Sequence, residues 1–97
     1  MKLKIHPLIA KDIKKALEYY DARSDRAGDV FLAEAERAIE RIENSPLSFH
    51  PIDERRRRCN LPGFPYHFVF EVRGKEIGVM VLKHDRRKPS FGLARKW

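Results

Sequence analysis

A chain of 97 residues with 42% hydrophobic content and one cysteine has the size and apolar material for one modest domain, spanning residues 1–97. That lone cysteine, Cys59, excludes an internal disulfide or multi-cysteine metal centre and suits a reducing cytoplasm; charge interrupts the amino-terminal stretch too often for a signal peptide, and no membrane-length apolar run exists. The net charge of +7 is one-sided: residues 1–50 hold nine Lys/Arg against nine Asp/Glu, residues 51–97 twelve against five, a field suited to a polyanion or an acidic protein.

"KLKIH" alternates polar and apolar residues, with Leu3 and Ile5 on one face, as a half-buried strand does. His6-Pro7 breaks it, and Pro7 is expected as the first residue of a helix, where a missing N–H costs nothing. Ile9, Ile13, Ala16, Leu17 and Tyr20 then recur at helical spacing. "DARSDRAGD" interrupts the stripe, and Ser24 or Asp25 can cap a second helix carrying Phe31, Ala35, Ala38, Ile39 and Ile42. Pro46 ends it by forcing Ser45 out of the helical region. Two apolar stripes joined by so short a connection predict an antiparallel helical hairpin.

The second half changes period. After the loop "SPLSFHPID", "RRRRCNL" is expected as a strand with Arg55, Arg57 and Cys59 on one face and Arg56, Arg58 and Asn60 on the other. "PYHFVFEV" sets Tyr66, Phe68, Phe70 and Val72 against His67, Val69, Glu71 and Arg73. Gly74 marks a two-residue hairpin turn that requires positive φ. "IGVMVLKH" is apolar on both faces and is expected as a central, doubly covered strand. The predicted fold is α+β: a β-α-α-β-β-β order with the helical hairpin packed on a mainly antiparallel sheet.

That last strand empties into "HDRRKPSF", residues 84–91. His84 can serve as a general acid or base, or simply pack at the strand end; Asp85 points to the other side of an extended chain and forms no dyad with it. Arg86, Arg87 and Lys88 can clamp phosphate or an acidic partner, or form a solvated turn. If they meet the arginines of residues 55–58 across the sheet, the two clusters make one polyanion site. The period-two aromatics are read as core, and Cys59 as a packed residue. His6, His50, His67 and His84 lack metal-ligand spacing, and there is no glycine-rich phosphate loop or GxSxG elbow, so no metal or cofactor is expected.

"LPGFPYHFVFEVRGKEIGVMVLKHDRRKP", with the helical pattern and the "NSP" helix end, resembles the RelE/ParE superfamily of type II toxin–antitoxin toxins; "FPYHFVF" and "HDRRKP" lie closest to ParE or plasmid-stabilisation chains. The resemblance implies a growth-arresting toxin, a helical hairpin over a twisted sheet, and a cognate antitoxin partner in a toxin–antitoxin hetero-oligomer. It implies one of two targets. ParE-like inhibition of DNA gyrase would make Arg56, Arg58, Arg86, Arg87, Lys88, Phe91 and Arg95 contact residues for target or antitoxin. A RelE-like endonuclease cutting mRNA on the ribosome would use His84, Arg86, Arg87 and Arg58. Phe91 lacks the hydroxyl that a tyrosine would bring to proton transfer, which favours gyrase; a homologue that only binds antitoxin is the third reading.

Overall fold

In the computed structural model, which describes residues 1–97, strand β1 (Lys2–Ile5) leads into helices α1 (Ile9–Asp21) and α2 (Asp25–Asn44). A 3-10 turn (Pro46–Ser48) follows, then strands β2 (His50–Pro51), β3 (Arg56–Asn60), β4 (Tyr66–Arg73) and β5 (Glu76–His84). The sheet order is β1-β5-β4-β3-β2, with β1 parallel to β5 and every other pair antiparallel. The expected α+β architecture is present, with a two-residue edge strand, β2, where only loop was expected.

Local chemistry accounts for the helix ends. Ser24 caps α2, its Oγ accepting from the Ala27 N–H at 3.0 Å. Pro7 is not the first residue of α1. It lies in the turn before it, where the His6 carbonyl accepts from Ile9 N–H, and Leu8 takes the cap position. The helices lay Ile9, Ala16, Phe31, Ala35, Ala38 and Ile42 against Cys59, Phe68, Phe70, Ile77, Val79 and Leu82 of the sheet. Burying a side chain the size of Phe31, Phe68 or Phe70 contributes about 1.5–3 kcal/mol each, so this layer dominates stability. Gly74 turns the β4–β5 hairpin at φ +56°, as its position demanded.

β4, not β5, is the middle strand. β5 is nonetheless covered on both faces, through a device that simple alternation misses. The β4–β5 register shifts between Val69 and Phe70, so Val69 faces Val81 while Phe70 faces Val79 and Met80 is the extra residue. Ile77, Val79 and Leu82 therefore face the helices, whereas Met80 and Val81 turn to the other side with Val69. There the C-terminal segment folds back and covers them with Phe91 and Leu93. Gly92 lets the segment lie this close: its φ is +81°, and a Cβ there would stand 2.5 Å from Val81 Cγ2.

β1 reaches only Val79 on β5, leaving the edge of residues 80–84 without a strand partner. Side chains occupy it instead. Asp12 of α1 accepts from Leu82 N–H at 3.1 Å, and Arg95 donates to the Met80 carbonyl at 3.0 Å. Arg95 and Asp12 also form a bidentate pair at 2.7 and 2.8 Å, which ties helix, sheet and C-terminal segment together.

Candidate functional site

The face of the sheet opposite the helices collects the polar groups. As expected from alternation, β3 directs Arg57 and Cys59 towards the helix side and Arg56 and Arg58 away from it. Arg57 donates to the Phe49 carbonyl at 2.7 Å, and Cys59 is fully buried, its thiol pushed up by that burial. Arg56 pairs with Asp53 at 2.8 Å and reaches the Leu93 carbonyl at 3.4 Å, so β3 does meet the C-terminal segment.

Arg58 meets the other cluster through a carboxylate. Its guanidinium lies 3.2 Å from Asp85 Oδ1, and its Nε donates to Asn60 Oδ1 at 2.7 Å. Asp85 Oδ1 is also 2.8 Å from Nδ1 of His67, which is only 4% exposed. Burial pushes the His67 imidazole below its ordinary range; the Asp85 hydrogen bond opposes this, and the neighbouring charge of Arg58 reinforces it. The histidine–carboxylate contact is thus His67–Asp85 rather than His84–Asp85.

His84 accepts from the Arg86 N–H through Nδ1 at 3.0 Å and sets its ring edge-on to Tyr66, centroids 5.2 Å apart. It lies at the strand end, half-buried, and with Nδ1 an acceptor its other ring nitrogen is the donor. Arg86, Arg87 and Lys88 follow on an exposed turn in which Arg87 N–H donates to the His84 carbonyl and Phe91 N–H to that of Lys88. The Arg87 guanidinium sits over Phe91, its carbon 4.0 Å from the ring centre.

Lys83 organises that turn. It is 5% exposed, and its Nζ donates to the carbonyls of Pro89 at 2.7 Å, Phe91 at 3.1 Å and Lys88 at 3.5 Å. Burial, then the charge of Arg58, lowers its pKa from the usual lysine value. Neither Lys83 nor His67 stood out in the sequence. The one hint for Lys83 is a cation closing an apolar strand with no acid beside it.

The candidate residues therefore divide. Arg86, Arg87 and Lys88 are exposed and make no ion pair, whereas Arg56 and Arg58 are half-buried and paired with Asp53 and Asp85. Arg95, expected on a contact surface, has its guanidinium taken by Asp12 and the Met80 carbonyl, with 12% of the side chain exposed. It joins elements of the fold because the open β5 edge offers it an acceptor. Phe91 covers Val81 and supports Arg87. No group of three or more His, Cys, Asp or Glu is placed to hold a metal, and no helix is long and apolar enough to cross a membrane.

Such a molecule is a small basic α+β protein with three adjacent unpaired cations, Arg86, Arg87 and Lys88, on an exposed turn at the end of an open five-stranded sheet. The family described as "ParE toxin of type II toxin-antitoxin system, parDE" matches residues 3–89, and the chain belongs to that family. Among solved structures, a chain of the "Chromosomal ParDE TA system from P. aeruginosa" superposes with a TM-score of 0.75 at 17% identity, covering 87% of this chain and 95% of that one. At that identity the likeness is one of fold. No curated protein sequence matches this one.

Proposed function

We propose that this toxin arrests growth by binding DNA gyrase through the Arg86–Lys88 turn, and that a cognate antitoxin neutralises it in a toxin–antitoxin complex. One observation carries the reading. Three adjacent cations without an ion pair sit on a turn fixed from beneath by Lys83, while the equipment for proton transfer beside them is incomplete. His67 is buried against Asp85, His84 Nδ1 accepts a backbone N–H, and Phe91 has no hydroxyl. Cleaving RNA needs a base for the 2′-hydroxyl and an acid for the leaving group; binding a protein needs no proton transfer, and unpaired surface charge steers it.

The test is pulse-labelling of DNA and protein synthesis directly after induction without antitoxin. DNA synthesis failing first is the expected result, with Arg86→Glu/Arg87→Glu abolishing the arrest while the protein remains folded. Protein synthesis failing first would move the target to the ribosome and make His84→Ala the next experiment.

A further inference from the structure

A second site lies on the opposite flank of the basic turn, in an open groove of about 560 Å³ between α1 and the C-terminal segment. Its floor is Leu82, Lys83 and His84 of β5, the stretch that β1 does not reach. α1 supplies one wall with Lys11, Asp12 and Lys15, and Arg87 and Phe91 stand on the other.

What this lining offers is donors. Lys11 and Lys15, one helical turn apart on one face, are exposed and make no ion pair, and neither does Arg87. The only carboxylate in the groove is Asp12, already occupied by Arg95 and by Leu82 N–H. Lys83 is spent on the carbonyls of the turn. His84 accepts through Nδ1 and so presents its other ring nitrogen as a donor. An anion is the complement of such a wall.

The aromatic geometry narrows the class. The Arg87 guanidinium sits over the Phe91 ring, its carbon 4.0 Å from the ring centre, and Tyr66 borders the same groove. A guanidinium plane fixed by an aromatic ring is a platform for a nucleobase. A carboxylate peptide would use the charges and leave that plane idle.

We propose that the groove between α1 and the C-terminal segment binds a phosphate-bearing nucleobase, its phosphate held by Lys11 and Lys15 and its base stacked on Arg87. Both a free nucleotide and the end of a single strand have this chemistry. The site shares Arg87 with the gyrase reading but differs from it in requiring Lys11 and Lys15, which that reading does not use.

Calorimetric titration of the full chain with AMP, ADP, a short single-stranded oligodeoxyadenylate, inorganic phosphate and polyglutamate tests it. Saturable binding of the nucleobase ligands, each tighter than phosphate or polyglutamate, is expected. Lys15→Glu should weaken it by about tenfold or more, as loss of a charge-assisted contact does. Arg87→Ala, a change on an exposed turn, should weaken the nucleotides but not phosphate. Lys75→Glu, at the far hairpin, should change affinity less than about twofold. ADP the tightest ligand would identify a nucleotide site, and the oligonucleotide the tightest a single-strand site. Polyglutamate matching or exceeding the nucleotides would overturn the proposal in favour of an acidic-peptide groove, as would binding indifferent to both Lys15→Glu and Arg87→Ala, or none at all. Growth arrest is scored separately, so either reading can fail alone.

Discussion

At the scale of single residues, the Asp12–Arg95 pair is the most consequential contact missing from the sequence reading. Both side chains are nearly buried, and together they satisfy the Leu82 N–H and Met80 carbonyl on the uncovered part of β5. Arg95→Met leaves the Asp12 carboxylate buried without its counter-charge and is expected to destabilise the fold by about 3–5 kcal/mol. The double variant Asp12→Asn/Arg95→Met should recover much of that loss, and urea unfolding of the four proteins measures the coupling. His67 makes a second, pH-dependent prediction. Burial depresses its folded pKa, so below the unfolded value of about 6.5 the unfolded chain takes up more protons than the folded one. Its contribution is complete above that pH and declines on acidification until the folded imidazole protonates too. Unfolding free energies between pH 8 and 5, estimated to span that transition, should fall less steeply for His67→Gln than for the parent.

At the scale of elements, the C-terminal segment behaves as a third layer although it has no helix or strand. Phe91 and Leu93 shield Val69, Met80 and Val81, Arg95 holds α1, and the Lys96 carbonyl lies 2.8 Å from His6 Nε2. Lys83 fixes where that layer begins by gathering three carbonyls around one ammonium. Lys83→Met keeps an unbranched side chain, one atom shorter, and removes every donor. The expected result is an intact sheet with a loosened turn. Trypsin should then cut after Arg86 or Arg87 about tenfold faster than in the parent, since local opening sets the rate of cleavage, while the far-ultraviolet circular dichroism remains unchanged. Equal cleavage rates would show that the turn holds its shape without the lysine.

For the whole molecule, charge and fold act together. The excess of seven positive charges arises after residue 50, and the fold places three of the unpaired cations of that half on one turn. Association with an acidic antitoxin should therefore be steered electrostatically and slow by about tenfold or more as salt rises from about 20 to 500 mM, because the screening length shortens several-fold over that range. Stopped-flow association rates test this. Arg86→Glu/Arg87→Glu should flatten the salt dependence, and an unchanged slope would assign the steering to other cations.

The sequence by itself determined the two helices and the four longer strands, and the faces of α1, α2, β3 and β4. Helical spacing from Ile9 to Tyr20 and from Phe31 to Ile42, the Ser24 cap, the period-two aromatics of β4 and the Gly74 turn are all local signals, encoded within a few residues. The ParE family was legible for the same reason, in two short runs along β4 and the turn after β5. Tertiary structure alone decided the rest. Pairing Asp12 with Arg95, His67 with Asp85, and Lys83 with carbonyls up to eight residues away depends on how far β1 extends, where β5 bulges and how the C-terminal segment folds back. No residue spacing records those facts. A buried polar group takes whichever partner the packing brings within about 3 Å, and that choice separates the arginine that clamps the fold from those left free to bind.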